Sequence, residues 1–88
     1  MNYTVYIIYS SKSNLQYIGH TNNLTDRLNR HNQNRSKFTK GKGPWELVAS
    51  YNVNSKSEAY QLELKLKSFK NSKLAIEFLR NLVQSTPI

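Results

Sequence analysis

Short apolar runs alternate with polar clusters in the first third of the chain, which is typical of strands joined by tight loops. Residues 3–10 are rich in Tyr, Val and Ile and predict a first strand. The polar cluster 10–14 predicts a hairpin loop, and residues 15–20 predict a second strand. Because so short a loop cannot hold a parallel crossover, we expect the two strands to pair antiparallel.

The rest of the chain favours helices around one further strand. Asn22 and Asn23 mark a helix start before Leu24 and Leu28, so we expect a helix to about residue 31 or 33. Residues 45–53 predict a third strand.

Two helices are predicted after the third strand. Ser55 and Glu58 fit a capping box, and Ser72 is the expected cap of the last helix. The apolar stripes of the two helices are Ala59, Leu62, Leu66 and Phe69, then Ala75, Phe78, Leu79 and Leu82. The order β-β-α-β-α-α predicts an α+β fold, in which a small sheet packs against helices.

Composition narrows the function classes. The 88 residues predict a single domain over 1–88, and 13 Lys and Arg against 5 Asp and Glu give a net charge of +8. Such a charge favours a polyanionic partner, with nucleic acid ahead of an anionic membrane surface, although a basic protein can also be merely soluble. The absence of cysteine excludes disulfides, zinc fingers and thiol catalysis. With no apolar stretch long enough for a signal peptide or a membrane span, we expect a cytoplasmic location.

Two tyrosines are candidates for chemistry. Tyr6 lies in the first strand and Tyr17 in the second, followed by Gly19. If the hairpin turns near residues 11 and 12, the two phenols lie roughly opposite each other on one sheet face, where they could position or deprotonate a water. The alternative is structural, because tyrosines favour strands.

Arg27 and His31 lie four residues apart, on one face of the first helix. Arginine has a planar donor fork suited to a phosphate, and histidine can relay a proton near neutral pH. The alternatives are a solvated arginine, which we expect of Arg30, and a buried, satisfied histidine. His20 is less informative.

Glu63 lies beside the buried stripe of its helix, so its carboxylate needs a partner. Because the few acids form no tight cluster, a site with two metals bridged by carboxylates is not expected. One Mg²⁺, held by a single carboxylate together with water and phosphate oxygens, is compatible with this sequence. The alternative partner is a nearby lysine such as Lys67.

A basic loop follows the first helix. Its charged residues surround Phe38, a pattern that suits a phosphate backbone with one stacked base, although such a loop can also be simply solvated. The candidate nucleic-acid-binding residues are Arg35, Lys37, Lys40 and Lys42.

These residues stand in a pattern that resembles the GIY-YIG nuclease superfamily, in particular its small stand-alone bacterial members. The resemblance covers residues 3 to about 70. Its matching segments are Thr4-Val5-Tyr6, Tyr17-Ile18-Gly19-His20-Thr21, 26–32, 40–48 and 57–65.

The resemblance implies a three-stranded antiparallel sheet flanked by helices and a metal-dependent endonuclease that uses Mg²⁺ or Mn²⁺. Tyr6 and Tyr17 would be the motif tyrosines, with Tyr17 as the base or water-orienting group. Arg27 would contact the scissile phosphate, His31 would fill a position held by His or Tyr, and Glu63 would bind the metal. DNA is a more favoured substrate than RNA. The alternatives are a nuclease acting on RNA and a non-catalytic module that binds nucleic acid.

Overall fold

The computed structural model describes residues 2–69 and 71–84. Its elements are β1 (Tyr3–Ser10), β2 (Leu15–Thr21), α1 (Leu24–Asn32), β3 (Glu46–Val53), α2 (Lys56–Lys67) and α3 (Ser72–Gln84). The strands form one antiparallel sheet in the order β2-β1-β3. The predicted α+β class and element order are therefore confirmed. No helix among the described residues is both long enough and apolar enough to cross a membrane.

The central strand β1 is covered on both faces, and its residues Val5, Tyr6, Ile7 and Ile8 are at most 1% exposed. Because side chains alternate along a strand, they supply two separate cores. Val5 and Ile7 pack with residues of α2 and α3. Tyr6 and Ile8 pack on the other face with Trp45 and with the α1 leucines. The face that holds Tyr6 is therefore the α1 face of the sheet.

Helix capping follows the sequence signals with one exception. The Asn23 side chain accepts a hydrogen bond from the Asp26 backbone N–H, and Ser55 accepts one from Glu58. The prediction that Ser72 caps α3 is wrong, because Ser72 is already helical and the Asn71 side chain accepts from the Lys73 N–H. Asn and Ser have similar capping strength, so composition alone could not choose between neighbours.

The hairpin register differs from the expected one. Tyr6 pairs with Gly19 and Ile8 pairs with Tyr17, so the tyrosines are diagonal neighbours rather than direct opposites. The cause is the loop, because strand pairing extends to Ser10 and Leu15 and the turn spans only the four residues 11–14. A shift of two residues keeps both phenols on the α1 face, as expected.

Candidate active site

Two phenols and an imidazole meet on the α1 face of the sheet. The ring centroids of Tyr6 and Tyr17 are 6.3 Å apart, and that of His31 is 5.0 Å from Tyr17 and 5.9 Å from Tyr6. The Tyr6 hydroxyl forms a hydrogen bond of 3.0 Å with Nε2 of His31. The Tyr17 hydroxyl forms none within residues 2–69 and 71–84, so it can bind water or substrate. Three of the predicted site residues are thus in direct contact.

His31 lies in the last turn of α1 and is fully buried. Its Nδ1 atom is 2.7 Å from the hydroxyl oxygen of Thr39, which is also buried. Both ring nitrogens therefore have partners, as a satisfied core histidine requires, and one of those partners is a site tyrosine. No signal in the sequence singles out Thr39, because it is one polar residue among many in the basic loop.

Burial shifts the acid–base properties of this pair. Loss of hydration raises the pKa of Tyr6 above its ordinary value, and the nearby Tyr17 and Glu63 raise it further, while Arg27 opposes the shift. Burial also lowers the pKa of His31, and the positive charge of Arg27 lowers it further by a smaller amount. At neutral pH, Tyr6 is consequently a protonated phenol and His31 a neutral imidazole.

Arg27 lies one turn before His31 on α1 and is partly buried. Its guanidinium forms no hydrogen bond and no ion pair within the described part of the chain. It is still near enough to affect the pKa values of Tyr6 and His31. Arg30, by contrast, is exposed and pairs with Asp26 at 3.0 Å, which agrees with the surface position expected of it. Arg27 thus remains available for an anion beside the phenols.

Glu63 reaches the site from α2, on the other face of the edge strand β2. Its Oε1 accepts a hydrogen bond of 2.8 Å from Nδ1 of His20, whose cross-strand partner is Val5 on the α2 face. Its Oε2 accepts one of 2.8 Å from the Lys67 ammonium. Glu63 touches none of the other four site residues, but its charge acts on the Tyr6 hydroxyl. The ion pair with Lys67, the alternative considered from the sequence, is present.

The residues around Glu63 fit a single hydrated divalent cation. Within the described residues, no group of three or more His, Cys, Asp and Glu side chains could hold a metal. Mg²⁺ needs no such cage, because it keeps most of its water and takes one or two carboxylates. The Lys67 ammonium already occupies the place of a cation at Oε2, and this lysine side chain is half exposed. Exchange of an exposed lysine for a metal ion costs less than about 1 kcal/mol of ion pairing.

The basic loop, residues 34–44, is fixed to the body of the protein by neutral groups. The Trp45 indole N–H donates to the Thr39 carbonyl, and the hydroxyls of Ser10 and Ser13 donate to the Lys42 carbonyl. Phe38 is 69% exposed, and an open cavity of about 580 Å³ lies between it, Tyr17 and Lys67. The four predicted nucleic-acid-binding residues are all exposed, and none pairs with a carboxylate among the described residues: Arg35, Lys37, Lys40 and Lys42.

Comparison with known proteins identifies the family of the chain. Residues 2–75 match the family model of the GIY-YIG catalytic domain, so the chain belongs to the GIY-YIG family, a family of nuclease type.

Its relatives are small proteins that carry the name UPF0213. The chain is 41% identical to UPF0213 protein OB0043 of Oceanobacillus iheyensis, over 84% of this chain and 88% of that protein. It is 36% identical to UPF0213 protein YazA of Bacillus subtilis, over 91% of this chain and 83% of YazA. The solution NMR structure of UPF0213 protein BH0048 from Bacillus halodurans superposes with a TM-score of 0.54 at 34% identity. The superposition covers 93% of this chain and 85% of the BH0048 chain.

Gly19 leaves room for the Tyr6 hydroxyl. A Cβ atom at position 19 would lie 2.8 Å from the Tyr6 hydroxyl oxygen and 3.1 Å from the Tyr17 ring. Because the Tyr6 ring is buried and its hydroxyl is bonded to His31, it cannot swing aside. We expect Gly19→Ala to reduce the free energy of unfolding by about 1–3 kcal/mol, as overpacking of a core does. Urea unfolding measures this, and an unchanged midpoint would contradict the contact.

Protonation of His31 should make stability depend on pH. The pKa of His31 is lowered in the folded protein, so below about pH 6.5, the ordinary value for histidine, the unfolded chain binds the extra proton. The contribution of neutral His31 to the free energy of unfolding is therefore fully present above that pH. It decreases as the solution is acidified towards the folded-state pKa, by up to about 1.4 kcal/mol per pH unit.

Thermal unfolding between pH 7.5 and 5.5 measures this dependence. We expect the melting temperature of the wild type to fall as the pH is lowered over that interval. The melting temperature of His31→Gln should be lower at pH 7.5 but should depend much less on pH. A wild-type melting temperature that stays constant to pH 5.5 would contradict the burial of a neutral His31.

Proposed function

We propose that this protein is a divalent-metal-dependent endonuclease that hydrolyses phosphodiester bonds in DNA. The observation that supports this most is that five side chains from four elements, β1, β2, α1 and α2, lie around strand β2. Tyr6, Tyr17 and His31 are in contact. The charges of Arg27 and Glu63 act on the Tyr6 hydroxyl from opposite sides of the strand. Hydrolysis of a phosphodiester requires a cation, a carboxylate and a hydroxyl that can orient water, and this strand has all three beside it.

Each residue has a proposed role that follows from its contacts. Arg27, which has no protein partner in the described residues, binds the scissile phosphate and stabilises the charge that develops there. Tyr17 orients the attacking water with its free hydroxyl. Tyr6 is held by His31 and remains protonated, so it serves as a hydrogen-bond donor. Water forms one new bond to phosphorus while one ester P–O bond breaks. The attacking water loses its proton to bulk water, and the leaving oxygen takes up a proton from bulk water.

Glu63 would hold the divalent ion, Mg²⁺ or Mn²⁺, with His20 orienting the carboxylate from behind. When bound, such an ion neutralises phosphate charge and makes a water molecule easier to deprotonate. Lys67, which pairs with Oε2, would have to yield that oxygen to the ion.

The direct test is incubation of supercoiled plasmid DNA with the wild-type protein and Mg²⁺ or Mn²⁺. We expect nicked and then linear plasmid with either ion, and intact plasmid when EDTA is present. A structured RNA in a parallel reaction tests the RNA alternative. Faster cleavage of RNA than of DNA would show that RNA is the preferred substrate. Intact plasmid and intact RNA, with both bound, would contradict the nuclease proposal.

That last outcome would favour a non-catalytic module that binds nucleic acid. One observation supports this second candidate, because both oxygens of Glu63 are already occupied by His20 and Lys67. Titration with Mn²⁺ separates the two candidates. The nuclease requires the ion to bind the wild type and to bind Glu63→Gln much more weakly, whereas a purely structural ion pair gives equally weak binding to both.

Binding through the basic loop should depend steeply on salt. If the four basic residues each contact a phosphate, the logarithm of the DNA association constant falls with the logarithm of salt concentration with a slope of about −3.6. The double variant Lys37→Ala, Lys40→Ala should reduce the slope by about 2 without affecting stability. Fluorescence anisotropy of a labelled oligonucleotide measures both slopes. A flat salt response in the wild type would exclude the loop as a contact surface.

A further inference from the structure

Tyr6, His31 and Thr39 form a continuous chain of hydrogen bonds in the interior. The Tyr6 hydroxyl binds Nε2 of His31 at 3.0 Å, and Nδ1 binds the Thr39 hydroxyl at 2.7 Å. All three residues are at most 1% exposed. Each hydroxyl can either donate or accept, so the two distances alone do not say which way the hydrogens point.

The hydrogens can be counted. With a neutral imidazole, the chain contains three polar hydrogens, one on each hydroxyl and one on the ring, and its two bonds use two of them. In one arrangement, Tyr6 donates to Nε2 and Nδ1–H donates to Thr39, so the Thr39 hydrogen is left over. In the other, Thr39 donates to Nδ1 and Nε2–H donates to Tyr6, so the Tyr6 hydrogen is left over. The doubly protonated ring would leave both hydroxyl hydrogens over, and it is disfavoured by burial beside Arg27.

The two ends of the chain differ in what they can do with the remaining hydrogen. Thr39 is a buried residue of the basic loop, and within the described residues its hydroxyl has no partner except His31. A hydrogen left there would be a buried, unsatisfied donor, which is costly. Tyr6 is equally buried, but its hydroxyl lies beside Gly19 and near the ring of Tyr17, which lines the open cavity. The charges of Arg27 and Glu63 act on this hydroxyl, beside the position proposed for the phosphate. A hydrogen left on Tyr6 has acceptors within reach when substrate or water is present.

We infer that Thr39 is a positioning residue that holds His31 in the Nε2–H tautomer, so that the Tyr6 hydroxyl donates its hydrogen to a phosphate oxygen. His31 then donates to the Tyr6 oxygen and does not accept a proton from it. The tautomer rests on the surroundings of the Thr39 and Tyr6 hydroxyls in this structure, whereas the phosphate as acceptor rests on the proposed nuclease function. Tyr17 is accordingly left as the phenol that orients the water.

Nitrogen-15 NMR of the metal-free wild-type protein at pH 7.5 tests the tautomer without any requirement for activity. We expect Nε2 of His31 to resonate as a protonated imidazole nitrogen and Nδ1 as an unprotonated one. His20, whose Nδ1 donates to Glu63, serves as an internal reference for a protonated Nδ1. Protonation of His31 at Nδ1, or at both nitrogens, would overturn the inference.

Two substitutions identify Thr39 as the cause. Thr39→Ser keeps the hydroxyl and should reproduce the wild-type nitrogen spectrum. Thr39→Val removes the donor at nearly constant shape, and Nδ1 should then shift to the position of an imidazole nitrogen that accepts no hydrogen bond. An Nδ1 resonance that is unchanged in Thr39→Val would show that Thr39 does not donate to it.

The same variants separate this inference from the proposed function. If the protein cleaves DNA, we expect the single-turnover rate to fall about tenfold in Thr39→Val with DNA affinity unchanged, and to be restored in Thr39→Ser. A wild-type protein with the expected tautomer but without cleavage would refute the nuclease and leave the assignment of Thr39 intact. A cleaving protein with the Nδ1–H tautomer would do the reverse.

Discussion

Glu63→Gln should lower the single-turnover rate of DNA cleavage about 10³-fold, the largest loss expected from any single substitution in this protein. Glutamine has the same shape and can still accept the hydrogen bond from His20. It lacks the charge that a divalent ion requires, and among the described residues no group of three or more His, Cys, Asp and Glu side chains could hold the ion instead. The rate at saturating Mn²⁺ and excess protein measures the effect, because binding is then not limiting.

The matched control is Glu77→Gln, which makes the same change of charge on α3 at an exposed position outside the site. It should cleave at the wild-type rate. The melting temperature of Glu63→Gln should stay close to that of the wild type, because the lost partner is an exposed lysine and such a pair contributes at most about 1 kcal/mol. Equal cleavage rates in the two variants would exclude Glu63 as the ligand of a catalytic ion.

Arg27→Ala should reduce the cleavage rate about 10²- to 10³-fold, the size expected when one stabilising donor is removed from a transition state. Arg27→Lys should recover only part of this loss, because an ammonium keeps the charge but not the planar pair of donors. DNA affinity should change little in either variant, since the basic loop supplies most of the phosphate contacts in the proposed complex. Quench-flow rates together with anisotropy titrations separate the two quantities.

Arg30→Ala is the control, since Arg30 lies on the same helix but pairs with Asp26 at the surface. A second measurement does not depend on catalysis. Because Arg27 contributes to the lowered pKa of His31, its removal should raise that pKa towards the ordinary value, as followed by NMR titration. A His31 titration that is identical in Arg27→Ala and the wild type would place the guanidinium away from the site.

The fold was predictable from the sequence because its signals are local. Strand β1 is rich in Tyr, Val and Ile, and the loop after it is too short for anything but a hairpin. Asn23 and Ser55 cap the helices they precede. The exact register was not predictable, because the polar loop contains no turn dipeptide that fixes where the chain reverses. The cap of α3 was misassigned by one residue for a similar reason, since Asn71 and Ser72 are both good caps.

The motif residues of the site could be predicted from the sequence. Tyr6, Tyr17, Arg27 and His31 come from two strands and a helix that follow one another in the chain, so their proximity follows from the hairpin and the first helix turn. The partners that hold the site together were not predictable. Thr39 and His20 act through hydrogen bonds that form only when a loop and an edge strand meet α1 and α2. That Glu63 approaches across β2 is a property of the tertiary fold and not of spacing along the chain.

If the protein is a nuclease of the proposed kind, Glu63 and the phenols act together on one phosphodiester. The most direct test is the cleavage of a labelled DNA duplex under single-turnover conditions with Mn²⁺, by the wild type and by Glu63→Gln side by side. We predict metal-dependent strand scission by the wild type, none with EDTA, and a rate about 10³-fold lower for the variant at equal DNA binding. Scission that is equally fast in the variant, or no scission by a wild type that binds both DNA and Mn²⁺, would contradict the account.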